Sequence, residues 1–90
     1  MTVRILRAAQ RDLAAIDQYI RQDNPEAADR VIAQIEAHIA QLGQFPYRGR
    51  PARPAGTREL VLPRLPYIVT YRVTSNHIDI LRVWHSAQRR

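Results

Sequence analysis

The spacing of apolar residues changes period along the chain, and each change marks an element. In "TVRIL", residues 2–6, Val3 and Ile5 flank Arg4, which predicts a short first strand. From Ala8 the spacing becomes helical: Leu6, Ala9, Leu13, Ile16 and Ile20 fall on one stripe with Arg7, Arg11, Asp17 and Gln18 around the rest. This helix is expected to stop near Gln22. "DNPEAA" opens a second helix, with Asn24 as N-cap, Pro25 at the first helical position and Glu26 near the positive helix start. Its stripe is Ala28, Val31, Ile32, Ile35, Ile39 and Leu42, and Gly43 is placed to end it in a left-handed cap. So short a link between the helices predicts an antiparallel hairpin with a shared apolar seam.

Residues 43–57, "GQFPYRGRPARPAGT", hold every glycine of the chain, three of its six prolines and no acid. They read as a loop, pinned at its start by Phe45, Pro46 and Tyr47. Strands are predicted at 58–62, 67–73 and 77–84, the last two joined through "TSN" with Asn76 able to take positive φ. Pro63 and Pro66 force a turn around "RL". The order is β-α-α-β-β-β, an α+β fold in one domain spanning 1–90, with a helical hairpin on a small, mainly antiparallel sheet. The second sheet face is then only partly covered, a natural seat for a partner.

Charge sharpens the picture. All 14 basic residues are arginine, and the net charge is +6. Residues 1–36 carry −1 and residues 37–90 carry +7, so the back half is the electropositive one. Arginine suits bidentate contact with carboxylate or phosphate, which points to an anionic partner, whether nucleic acid or acidic protein. No cysteine is present and His38, His77 and His85 have no ligand spacing, so neither a metal nor a cofactor is expected. With no long apolar run, the chain is expected to be cytoplasmic and without membrane contact.

Strict alternation along the last strand puts Ile78, Ile80, Arg82 and Trp84 on one face and Asp79, Leu81, Val83 and His85 on the other. Arg82 reads as a paired charge at the rim of the core, with Glu59 the suggested partner, or as an arginine on the ligand side. Trp84 reads as a packing residue closing one end of the sheet, or as a stacking platform. An RNA-cleaving site would need His85, a tyrosine or a carboxylate to move protons while Arg58, Arg72 or Arg82 held phosphate. The alternative is that His85 ends its strand and caps the sheet by hydrogen bonds. Arg48, Arg50 and Arg53 are either solvated loop charges or an anion-facing set; "RGRPARPAGT" lacks the lysine and ending of a phosphate-binding P-loop.

The ordered run "ILRAAQRDLAAIDQYI", "NPEAADRVIAQIEAHIAQL", "FPYRGRP", "GTRELVL", "PYIVTYRV" and "IDILRVWHSAQR" resembles the RelE/ParE superfamily of bacterial type II toxins over nearly the whole chain. The resemblance implies a toxin neutralised by the acidic, amphipathic segment of a cognate antitoxin, in a hetero-oligomer. It also implies one of two targets: DNA gyrase for ParE-like members, or ribosome-bound mRNA for RelE-like interferases. Interferases commonly carry arginine after the aromatic that opens the penultimate strand, where this chain has Ile68 after Tyr67. They carry basic residues at alternate positions on the preceding strand, where Arg58 is followed by Leu60 and Leu62.

The wording is therefore that of the ParE-like branch. A gyrase inhibitor is expected, with no catalytic residue favoured; an interferase would use Arg58, Arg82 and His85. Tyr19, Arg58 and Arg72 are the expected antitoxin-binding residues, and Trp84, His85, Arg89 and Arg90 the expected target-binding end. A third possibility is a non-toxic relic that only binds antitoxin.

Overall fold

A computed structural model describes residues 1–88 of the chain. The elements run β1 (Thr2–Ile5), α1 (Arg7–Arg21), α2 (Pro25–Gln41), β2 (Arg50–Pro51), β3 (Thr57–Val61), β4 (Tyr67–Val73) and β5 (His77–His85). They build one five-stranded sheet of order β1-β5-β4-β3-β2. Every pairing is antiparallel except β1 with β5. The two helices pack on one face, and no helix among the described residues is long and apolar enough to cross a membrane.

The helices form where the stripes place them. Asn24 caps α2 by accepting a hydrogen bond from the Ala27 amide at 3.0 Å. Arg21 donates to Asp17 on its own helix and to Asp29 on α2, which ties the two helices at their junction. Ala9 and Leu13 of α1 meet Ile35, Ile39 and Leu42 from the α2 segment in a core floored by Leu60, Leu62, Tyr67, Val69, Tyr71, Ile78, Ile80 and Val83. This apolar burial is the main source of the domain's stability.

Three local expectations need correction. Gly43 does not close α2 in the left-handed region: Leu42 is the cap residue, in right-handed helical geometry. Gly43 is needed for space instead, because a Cβ there would lie 2.7 Å from the Met1 carbonyl oxygen. Asn76 does not take positive φ; among non-glycine residues that conformation falls to Arg64 (φ 62) in the turn bracketed by Pro63 and Pro66. The β4–β5 turn is closed by Thr74, whose amide and hydroxyl both donate to the His77 carbonyl at 2.8 Å. Finally, the 43–57 segment is not all loop, since Arg50 and Pro51 form an edge strand opposite Glu59 and Arg58. An edge position accommodates Pro51, whose nitrogen cannot donate to a ladder.

The largest departure lies in β5. Tyr71 pairs with Ile80 but Thr70 pairs with Arg82, so Leu81 is an extra residue and the strand carries a β-bulge. The bulge reverses the alternation beyond it. Ile78 and Ile80 are buried on the core side as expected, yet from there Val83 takes the core position opposite Val69. Arg82 and Trp84 stand opposite Thr70 and Ile68 on the face away from the core. That face is dressed with polar pairs: Arg4 with Asp79 at 3.0 Å, Arg50 with Glu59 at 3.4 Å, and the Trp84 indole donating to the Thr70 hydroxyl at 3.0 Å.

Candidate partner-binding groove

β1 pairs with β5 only as far as Ile5 and Ile80, so the remainder of β5 runs past the end of its neighbour. Helix α1 comes alongside this edge, and a groove of about 500 Å³ opens between them. Asp12, Ala15, Ile16 and Tyr19 form its helical wall, spaced so that they share one stripe of α1. Val83, Trp84 and His85 form the strand wall, Tyr67 the floor, and Gln88 the far end. Tyr19 remains 77% exposed, a large aromatic held in water at the rim.

One end of the groove is locked. Arg82 donates to both carboxylate oxygens of Asp12, at 2.7 and 3.0 Å, and the same carboxylate accepts the Val83 amide at 2.8 Å. Asp12 thus satisfies the backbone where β5 has lost its strand partner. The bond to Asp12 raises the Arg82 pKa further above its ordinary value, with the carboxylate's charge adding to it. The guanidinium also lies 5.9 Å from the Trp84 ring. The expectation that Arg82 pairs is met by a different partner: it takes Asp12, and Glu59 takes Arg50.

At the other end, His85 meets Tyr67 edge to face, with ring centroids 5.5 Å apart. Its Nδ1 accepts the Ala87 amide at 3.0 Å, and its own amide donates to the Gln88 side chain at 3.1 Å. His85 therefore organises the turn after β5. Burial pushes the Tyr67 phenol above its usual range, and the nearby Tyr19 pushes it the same way. A phenol so shifted is poorly suited to giving up a proton at neutral pH.

The sequence-predicted residues distribute unevenly over this geometry. Tyr19, Trp84 and His85 come together, although Tyr19 was expected to contact one partner and the other two a different one. Arg58 and Arg72 do not join them. Arg58 stands opposite Tyr71 on the core side of β3, while Arg72 stands opposite Thr57 and Asp79 on the other face. Arg58 donates to the Gly49 carbonyl at 2.7 Å and lies 4.9 Å over the Tyr47 ring. The loop arginines also separate. Arg48 donates to Gln41, Arg50 reaches Glu59, and Arg53 sits in the connection between β2 and β3.

Leu60 and Leu62 are core residues and Ile68 is buried on the opposite face, so none presents a cation. Arg89 and Arg90 lie outside the described residues. Sequence reading missed Asp12, Ala15 and Ile16 as groove residues. Of these only Ile16 lies on the apolar stripe read for the first helix, and the bulge that turns β5 toward α1 left no mark in the sequence.

A profile of the ParE toxin of type II toxin-antitoxin systems, parDE, matches residues 3–90. The chain belongs to this family. Among similar proteins, Y4kP of Sinorhizobium fredii is 46% identical over 93% of this chain and 85% of its own length. Toxin RelE1 of Caulobacter vibrioides is 31% identical over 99% of this chain and 97% of its own. Among solved structures, the chromosomal ParDE toxin-antitoxin system from P. aeruginosa matches with a TM-score of 0.87 and 32% identity, covering 94% of this chain and 95% of that one. The toxin-antitoxin complex RelBE2 from Mycobacterium tuberculosis matches with a TM-score of 0.64 and 31% identity, covering 93% of this chain and 95% of that chain. The chain is thus a type II toxin of the ParE/RelE group, with the α+β architecture of those neighbours.

Proposed function

We propose that this toxin acts by binding DNA gyrase through the groove between α1 and the end of β5, and that a cognate antitoxin silences it by filling the same groove. The observation that carries the reading is the dispersal of the groups an RNA-cutting site would need. Arg58 stands on the Tyr71 row of the sheet and His85 on the Tyr67 row, four residues further along β4 and two strands away. At about 3.3 Å per residue and about 4.8 Å per strand, their backbones are separated by roughly 16 Å. Arg82 is held by Asp12, and the His85 Nδ1 is taken by the backbone. What the groove offers is an aromatic, partly apolar cleft, which is a binding surface.

Two further points support this reading. The structural likeness to the ParDE system is greater than that to RelBE2. Both neighbours are toxin-antitoxin systems, which supports an antitoxin as partner. Antitoxin and target sharing one groove would be mutually exclusive, a direct route to neutralisation. An mRNA-cleaving reading rests on His85 beside Tyr67, and it requires phosphate-holding arginines that the groove does not gather.

The test is inhibition of gyrase supercoiling by antitoxin-free protein. Trp84→Ala and Tyr19→Ala are each expected to weaken inhibition about tenfold or more, and saturating antitoxin is expected to abolish it. Full inhibition by the antitoxin-bound toxin would refute the shared groove.

A further inference from the structure

A second exposed surface lies at the opposite end of the helical hairpin, where α2 leads into the loop before β2. Phe45 and Tyr47 are 59% and 66% exposed, and with Pro46 they border a shallow hollow of about 620 Å³ whose remaining sides include Gln41 and Arg48. Two exposed aromatics bordering one hollow mark an interaction surface. This loop is rigidly built. The buried Tyr71 hydroxyl donates to the Pro46 carbonyl and accepts the Gly49 amide, both at 2.8 Å. Arg58 donates to the Gly49 carbonyl while stacking over Tyr47. The Phe45 and Arg48 amides close turns onto Gln41 and Phe45. The aromatics are presented in a fixed arrangement.

Their surroundings are cationic. Residues 43–57 contain three arginines and no acid, and Arg58 follows directly. Among the described residues neither Arg48 nor Arg58 forms an ion pair, and a guanidinium carries five N–H donors, more than the single hydrogen bond each makes here uses.

We infer that the Phe45–Tyr47 hollow is a second docking point for the antitoxin, taking one apolar side chain from an acidic segment whose carboxylates meet Arg48 and Arg58. The inference rests on the antitoxin reading given above and adds a contact at the far end of the molecule from Tyr19. Charge complementarity selects an acidic occupant, and the apolar lining from Phe45, Pro46 and Tyr47 suits an apolar side chain. The 17 residues of α2 separate the two docking points. At about 1.5 Å per helical residue the span is about 25 Å, within reach of one amphipathic segment.

The experiment measures the affinity of the full-length toxin for its purified cognate antitoxin, comparing wild type with Phe45→Ser/Tyr47→Ser and with Arg48→Gln. The double variant is expected to raise Kd about tenfold or more while remaining folded, with a cooperative thermal transition, and Arg48→Gln to flatten the salt dependence of binding. Hydroxyl-radical footprinting of the wild-type complex reads the same surface without substitution, and Phe45 and Tyr47 are expected to become protected. Wild-type binding with unchanged Kd in the double variant, or without protection, overturns the second docking point and leaves the antitoxin reading standing. If the wild type binds no antitoxin, the reading beneath it falls too. Competition for the hollow by a labelled single-stranded RNA, lost in the double variant, overturns it in favour of a base-stacking platform.

Discussion

Tyr71 is fully buried, yet its hydroxyl holds two backbone groups of the loop before β2. Burial pushes its phenol up in pKa, against the opposing effect of the Gly49 amide, so it stays protonated and keeps its role as donor to Pro46. Tyr71→Phe leaves the Gly49 amide and the Pro46 carbonyl without this partner, and a loss of about 1–3 kcal/mol is expected in urea unfolding. Gly49→Ala should cost more than a surface change, because a Cβ there would lie 2.7 Å from the Tyr71 hydroxyl and 2.8 Å from the Glu59 carbonyl. That glycine was visible in the run "FPYRGRP", as part of a P-x-x-G-R pattern carrying the resemblance. The hydroxyl that crowds it was not, since nothing local connects residues 49 and 71.

Asp79 gives a second residue-scale test. The hydrogen bond from Arg4 lowers its pKa below the ordinary value of 3.8, against a desolvation penalty, with the charges of Arg4, His77 and Arg72 assisting. A depressed folded-state pKa contributes stability above the unfolded value and loses it as pH falls through the folded one. The sensitive window therefore lies below about pH 4. Arg4→Gln is expected to move the Asp79 titration midpoint upward in carboxyl NMR, and to start acid unfolding at a higher pH.

Among the elements, the joint between α1 and β5 decides where the groove lies. Both helices were legible, because their stripes, the Asn24 cap and Pro25 are local signals that burial on the sheet does not contradict. The bulge at Leu81 was not, because it carries no glycine and interrupts an otherwise continuous "IDILRVW". Missing it placed Arg82 and Trp84 on the wrong face and hid Asp12 as the group that finishes the strand edge. β2 was missed for another reason: two residues including a proline are too short to show alternation. Asp12→Ala is expected to cost about 1–3 kcal/mol. Its specific signature should be faster hydrogen exchange at the Val83 amide, with β4 and the first half of β5 still protected.

On the scale of the whole molecule, the charge asymmetry and the fold place two exposed aromatic sites at opposite ends of a helical hairpin. On the sheet face away from the helices, Arg4 and Arg50 are drawn into pairs with Asp79 and Glu59 and Arg82 is held by Asp12, while Arg72 stays exposed. The proposed function rests on the groove, which combines the exposed Tyr19 with a strand edge that has no strand partner among the described residues. Whether that surface grips gyrase or cuts mRNA is answered most directly by one paired assay of antitoxin-free protein: supercoiling of relaxed plasmid by gyrase, and integrity of mRNA in a translating extract. Loss of supercoiling with mRNA intact is the predicted result. Cleaved mRNA with normal supercoiling, or no effect on either, would contradict it.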